Sequence, residues 1–494
     1  MTDFRWRDSL SGHSGGRPVL VGGSRAWSAD EVLAEFDVLR ERLAPSRVLG
    51  VLADNGAAWA MADLAAQDAG IVHLPLPGFF SPTQLRHAIE QTATDTILTD
   101  QPERVGALDL QFAITGTWQN LIWMRRVVEP ADLPAGTAKI SFTSGSTGAP
   151  KGVCLSANGL RATARAVCAR LADLPLERHL AVLPLSLLLE NVAGLYAPLL
   201  RGMTMHLPSL ADLGWRGMAG FDPRALDAAV RTGTASSLIL VPELLKAWTM
   251  LLAHTERQAP ETLRFVAVGG ARVAHELLSA TRQRGIPAHQ GYGLTECGSV
   301  VTLNRPDDDT GSGDDVGRPL DHARVRVDGN EVMVGTAAFL GYVGGAVGTD
   351  GEFPTGDLGE LDQRGHLRLT GRCKNLLITS YGRNISPEWV EAALLAQPAI
   401  LQAIVVGDGR PAPAAIIVAA PGTHETDVDA AILAANQTLP DYARVAHRLL
   451  AAPFTPENGL ATGNGRPMRS AIIEHHAAQV AALYAQEESE DVVL

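Results

Sequence analysis

The sequence predicts an α/β protein: a large N-terminal α/β region, a β-rich subdomain, and a small C-terminal α+β unit. Three observations predict this. First, Ala- and Leu-rich helical patterns alternate with short β-branched runs, the signature of largely parallel sheets. Second, the texture changes after about residue 315 to short strands with Gly turns. Third, a fresh unit starts near residue 374. A length of 494 residues fits about three domains on a prior of roughly 150 residues each.

The helical patterns lie at 57–69, 160–172 and 223–231, and the β-branched runs at 47–52, 237–241 and 264–268. Residues 325–334 and 359–369 read as strands, with Asp328-Gly329 and Arg364-Gly365 as hairpin corners. Residues 387–395 read as a helix with proline in its first turn, after Ser386 as N-cap. Strands at 402–406 and 414–419 and a helix at 427–435 complete the last unit. The acidic tail, 486–494, reads as loose. The expected division is a body over 1–373, with its β-rich piece at about 315–373, and a boundary near 374.

Hydrophobic residues make up 46% and charged residues 19%, an ordinary globular balance, and a chain this long needs no disulfide staples. With 41 Lys+Arg against 54 Asp+Glu, the net charge of −13 leaves no electrostatic footprint for nucleic acid or an anionic membrane. Four cysteines without a C-x-x-C pair argue against a disulfide framework or a zinc site. The N-terminus has no apolar signal region, and the longest greasy stretch, 181–189, is too short to span a bilayer, so a cytoplasmic location is expected. Only four lysines occur, Lys139, Lys151, Lys246 and Lys374. In a chain this rich in arginine, a retained lysine points to a chemical need.

The most informative segment is residues 140–152, ISFTSGSTGAPKG. Hydroxyls of Thr143, Ser144, Ser146 and Thr147 surround Gly145 and Gly148, so exposed backbone N–H groups can form an anion nest. Lys151 adds a compact positive charge for polyphosphate. The spacing is not that of a Walker A loop, which sets aside a P-loop kinase or GTPase. The segment resembles the signature loop of the adenylate-forming superfamily of acyl-CoA synthetases, peptide-synthetase adenylation domains and luciferases, closest in feel to the fatty acyl-CoA synthetases. Further motifs follow in the family's order: Val268-Gly269-Gly270-Ala271, Gly291-Tyr292-Gly293-Leu294-Thr295-Glu296, Thr355-Gly356-Asp357, Gly371-Arg372-Cys373-Lys374, the loop 380–387, and 462–469.

The resemblance implies ATP-dependent activation of a carboxylic acid to acyl-AMP, with pyrophosphate release and transfer to a thiol of CoA or a phosphopantetheine carrier. Two anions must meet in the first step, so the site has to neutralise charge and fix geometry. By the same resemblance, Thr143, Ser144 and Lys151 handle the β- and γ-phosphates within the 143–148 loop. Gly269, Gly270 and Ala271 lie against the adenine, beside Tyr292 and Gly293. Thr295 bonds the α-phosphate and Glu296 holds Mg²⁺, which suits hard oxygen ligands. Asp357 takes the ribose hydroxyls with help from Arg372. The resemblance also implies a body of stacked α/β subdomains with a small, mobile α+β C-terminal lid over 375–494, which rotates about Lys374 as its hinge; in it, Gly382 lets a pantetheine arm pass close to the backbone.

Two departures from the pattern stand out. Arg466 replaces the lysine that reaches the substrate carboxylate and α-phosphate in the family. A planar guanidinium is not a neutral swap for an ammonium, so Arg466 either does the lysine's work in another geometry or weakens it. In the acyl segment that starts Leu183-Pro184-Leu185, Leu187 stands where long-chain synthetases carry a histidine. No aspartate lies in 181–198 to pair an α-amino group, and an unpaired buried ammonium is costly. The expected substrate is therefore a neutral, hydrophobic fatty or aryl acid, with Leu187, Asn191, Val241, Val268, Leu294 and Cys297 as pocket residues. Three readings remain open: a thiol ligase, with an acyl carrier protein as one acceptor; a ligase for a non-thiol acceptor; and a degenerate binder of AMP or acyl-AMP. None of the histidines is assigned catalysis, His206 and His289 being read as structural.

Overall fold

The structure of the protein, a computed structural model, describes residues 5–13, 16–143, 150–217, 220–308, 315–345 and 351–490. Alternation of helix and strand does produce parallel sheets. In an eight-stranded sheet, Thr137–Thr143, Val72–Pro75, Val48–Leu52 and Thr96–Thr99 run parallel at the centre, with antiparallel strands outside. Val48–Leu52 is apolar throughout and fully buried, as a strand covered on both faces must be. In a nine-stranded sheet, Ala288–Tyr292, Phe265–Val268, Ser237–Leu240, Arg178–Leu180 and Thr204–His206 are neighbours in one parallel run.

The β-rich piece is a four-stranded antiparallel sheet of Arg324–Asp328, Glu331–Gly335, Phe353–Leu361 and Leu367–Arg372. Its first corner falls one residue later than the sequence suggests. Gly329 and Asn330, with φ of 53° and 74°, are the two central residues, the left-handed pair that a tight hairpin requires.

Beyond Lys374, a separate apolar core forms around Val390, Ile417 and Val428. It joins helices Pro387–Leu395 and Glu425–Gln437 to a sheet of Ile400–Val406, Ala414–Ala419 and His447–Leu450. Two expectations need correcting here. Ser386 occupies the N-cap position but makes no side-chain cap; its hydroxyl donates instead to Glu388 Oε2 at 2.9 Å. The tail is not loose from 486, because helix Ala477–Glu490 runs through that point. Its anchor is Tyr484, 3% exposed, which donates to the Ala412 carbonyl at 3.0 Å.

Candidate active site between body and lid

A cavity of about 950 Å³ lies where the C-terminal ends of the parallel strands meet the lid. Crevices of this kind are where open α/β sheets bind ligands. One end of the cavity is polar. Strand Phe265–Val268 delivers Val268, and the chain then turns sharply through Gly269, Gly270 and Ala271, all of which line the cavity. Gly270 has a φ of +89°, and an added Cβ would sit 3.2 Å from the Arg466 guanidinium. Gly293 is tighter still, since a Cβ there would fall 1.6 Å from the Ser299 carbonyl oxygen. Only glycine fits where backbones approach this closely.

Tyr292, Gly293, Leu294, Thr295 and Glu296 all reach the cavity. The short 3₁₀ turn Thr295–Cys297 sends successive side chains in different directions. Thr295 and Glu296 face the cavity, whereas Cys297 points away into a core with Val301, Val316 and Val332. Cys297 is therefore not a pocket residue.

Asp357 is 5% exposed and held from two sides. Its Oδ2 accepts from the Tyr292 hydroxyl at 2.7 Å, and its Oδ1 pairs with Arg372 Nε at 2.8 Å. Burial, reinforced by the Asp357 charge, pushes the Tyr292 phenol far above its usual range, so it stays a donor. Glu296 accepts at Oε1 from the Tyr342 hydroxyl at 3.0 Å, leaving Oε2 for another partner. Burial and the Glu296 charge push Tyr342 up to about 12. The Lys151 ammonium lies 5.8 Å from the centre of the Tyr342 ring, within cation–π range. Sequence reasoning missed Tyr342. Its signal was a tyrosine, one of 6 in the chain, following Gly341 shortly before Thr355-Gly356-Asp357.

Thr143 lines the cavity at the end of strand Thr137–Thr143, and Lys151 opens the next strand as an exposed side chain. Ser144, Gly145, Ser146, Thr147 and Gly148 lie outside the described residues. From the lid, Arg466 enters the cavity and its guanidinium donates to the Gly270 carbonyl. The carrying loop is clipped by Thr462 N to the Arg466 carbonyl at 2.8 Å and by Arg466 N to Thr462 Oγ1 at 3.1 Å. Lys374 is exposed, and Gly382, with a φ of +71°, sits at an exposed hairpin corner; neither lines the cavity.

The other end of the cavity is an apolar arm. Leu187 and Val241 line it, together with Ser237, Leu238 and Ile239, three successive strand residues that span ~10 Å. Ala193, Ala197, Leu171, Leu176 and Met203 line it as well. His179 also borders it but is buried and partnered, with Nδ1 2.9 Å from Ser237 Oγ and Nε2 3.1 Å from Glu190 Oε1.

Asn191 is not in this arm. Glu190–Tyr196 is a π-helical turn, wider than an α-turn, and it points Asn191 into the body core. There Asn191 donates to Asp63 Oδ2 at 2.7 Å and accepts from Lys139. Asp63, His73 and Lys139 are fully buried together, with Lys139 Nζ 2.8 Å and His73 Nδ1 2.6 Å from Asp63 Oδ1. Burial opposes the Asp63 charge, but Lys139 and His73 overcome it and hold the carboxyl well below its usual range.

Among the described residues no cluster of three or more His, Cys, Asp or Glu could hold a metal by itself. Glu296, with one carboxylate oxygen unengaged among the described residues, instead fits Mg²⁺, which binds through one or two carboxylates together with substrate phosphates.

Comparison with known proteins agrees with this geometry. Residues 11–342 match the family model described as AMP-binding enzyme, and 374–488 match the AMP-binding enzyme C-terminal domain. The chain belongs to the AMP-binding enzyme family. One curated relative is a long-chain-fatty-acid–CoA ligase of Mycobacterium bovis, 26% identical over 87% of this chain and 86% of its own. Another, a 2-succinylbenzoate–CoA ligase of Bacillus velezensis, is 33% identical over 56% of each chain. The O-succinylbenzoate coenzyme A synthetase of Bacillus subtilis, solved with ATP and magnesium ion, shares the fold with a TM-score of 0.74 at 22% identity, covering 94% of this chain and 98% of its own. No helix among the described residues is long and apolar enough to cross a membrane.

Proposed function

We propose that this cleft activates a hydrophobic carboxylic acid with ATP and passes the acyl group to a thiol, making the protein an AMP-forming acid–thiol ligase. The observation that carries the reading is the single cavity joining the Asp357–Tyr292–Arg372 end to the apolar arm, with Arg466 among its lining residues. An acid seated in the arm presents its carboxylate toward the polar end. A carboxylate oxygen bonds to the α-phosphorus, the bond from that phosphorus to the bridging oxygen breaks, and pyrophosphate leaves. Thr295 and Arg466 offset the charge that builds on the α-phosphate, at fixed positions where little reorganisation is needed. Asp357 and Arg372 orient the ribose, while Gly270 and Ala271 leave room for the base. Lys151, with Thr143 and the 144–148 loop, takes the outgoing pyrophosphate. Mg²⁺ held by Glu296 would supply charge neutralisation across the phosphates.

In the second step a thiolate attacks the acyl carbon and AMP leaves. The acceptor we propose is CoA or the phosphopantetheine arm of an acyl carrier protein, reached after the lid turns about Lys374 and brings Gly382 to the cavity. The division this reading uses is a body to 373 and a lid from 375. The test is pyrophosphate release with Mg-ATP over short, medium and long fatty acids and aryl acids, with and without CoA. Acid-dependent release stimulated by CoA is expected. Acid-dependent release that CoA and a carrier protein leave unchanged, but an amine or alcohol raises, would replace the thiol acceptor. Nucleotide binding with no release would make the protein a binder.

A further inference from the structure

Lys246 is one of the chain's four lysines, and the reaction described above does not use it. It lies in helix Pro242–His254 of the body, one turn after Glu243, which lines the cavity. Its ammonium donates to three carbonyls of the lid: Leu395 at 2.6 Å, Gln397 at 2.7 Å and Ile400 at 2.7 Å. These carbonyls cluster just where helix Pro387–Leu395 ends and strand Ile400–Val406 begins. The last carbonyls of a helix have no partner within it and carry its negative dipole end, so a cation is favoured there. An ammonium has three hydrogens, and here each finds one acceptor.

We propose that Lys246 is a positioning residue that latches the lid in the orientation that seats Arg466 at the active site. The proposal rests on the carboxylate-activation reading only for its kinetic consequence; the latch itself is a statement about lid position. Three features support it. Every acceptor is a backbone carbonyl of the lid, so the contact fixes the lid as a body and does not depend on its side chains. The opposite charge near Lys246 is Glu243, which also acts on Arg466. One helix thus addresses the lid at two points. Finally, the contact is releasable. Burial pushes the Lys246 ammonium down to about 8, with Glu243 opposing, and among the described residues no carboxylate clamps it as Asp63 clamps Lys139. A lid that must rotate between two half-reactions needs a contact that holds and lets go.

The experiment reads lid position and the two half-reactions separately in Lys246→Met and Lys246→Gln. Spin labels placed by Ile114→Cys on the body and Leu433→Cys on the lid, both 64% exposed, report the distance between the two units, with Cys373, also exposed, changed to Ser. The population at the distance of this structure is expected to fall by about tenfold or more in both variants, the change one charge-assisted hydrogen bond can account for. Acid-dependent pyrophosphate release should fall in parallel, while thioester formation from supplied acyl-AMP and CoA stays within about twofold. That split is one a merely structural role would not produce. An unchanged distance distribution in both variants overturns the latch. An equal fall in both half-reactions with a lower melting temperature overturns it as well, because Lys246 would then be holding the fold. If the wild type releases no pyrophosphate with any acid, the activation reading fails while the distance measurement still decides the latch.

Discussion

The two ends of the cavity are built in opposite ways. The polar end is made of short contiguous motifs, each a tight turn carrying one or two charged or hydroxyl side chains: Gly269-Gly270-Ala271, Thr295-Glu296, Asp357 and Arg372. The apolar arm has no motif at all. Leu171, Ala193, Met203 and Ser237 come from four separate segments of the chain and share only that they face the same space. Chemistry common to every acid needs fixed polar atoms, and fixed atoms need a particular backbone. Selection among acids needs only a shaped volume, which many sequences can enclose. Substitutions at the polar end should therefore lower activity with all acids alike, and substitutions in the arm should re-rank the acids.

The sharpest break in that comparison comes from Glu296→Gln. It keeps an acceptor for Tyr342 but loses the charge, and acid-dependent pyrophosphate release should fall ~100- to 1,000-fold with every acid, as when one transition-state electrostatic contact is lost. A loss confined to some acids would contradict the division between the ends. Next is Ala193→Phe, which fills the arm from within the π-turn. For long acids kcat/KM should fall ~10- to 100-fold, the range that pocket-shape changes reach, while short acids keep wild-type rates. Equal loss across chain lengths would show that the arm does not hold the acyl group. The smallest effect is expected of Tyr342→Phe. Removing one hydroxyl donor to Glu296 should cost about fivefold to tenfold, uniformly across acids, with a higher magnesium requirement as the check on mechanism.

The same contrast explains what was legible in the sequence. The turns at Gly270 and Gly293 are demanded by a close backbone approach, so their glycines stand out, and the motifs around them locate the polar end. Asn191 and Cys297 were misplaced for a common reason. A π-helical turn and a 3₁₀ turn each rotate side chains off the α-helical period, so spacing along the chain does not say which face a residue takes. The arm was legible at Leu187 and Val241, both named as pocket residues and both lining it, and otherwise as an absence, of a histidine at 187 and of an aspartate in 181–198. Tyr342 was missed because it acts through Glu296 from a strand 46 residues further along. Lys246 was visible only as a lysine retained among arginines, since its partners are backbone carbonyls, which no sequence pattern marks. The tail was read as loose from its acidity, although the Tyr484 contact with Ala412 ties its helix to the lid.

The central claim is that Arg466, seated from the lid against the Gly270 carbonyl, takes part in joining the acid to the nucleotide. Acid-dependent exchange of labelled pyrophosphate into ATP, which reads that step without an acceptor, tests it most directly. The account predicts exchange with apolar acids by the wild type, a loss of about tenfold or more in Arg466→Ala, the cost of one charge-assisted contact, and substantial recovery in Arg466→Lys. Exchange that is unchanged in Arg466→Ala, or absent from the wild type with every acid and present only in Arg466→Lys, would contradict it.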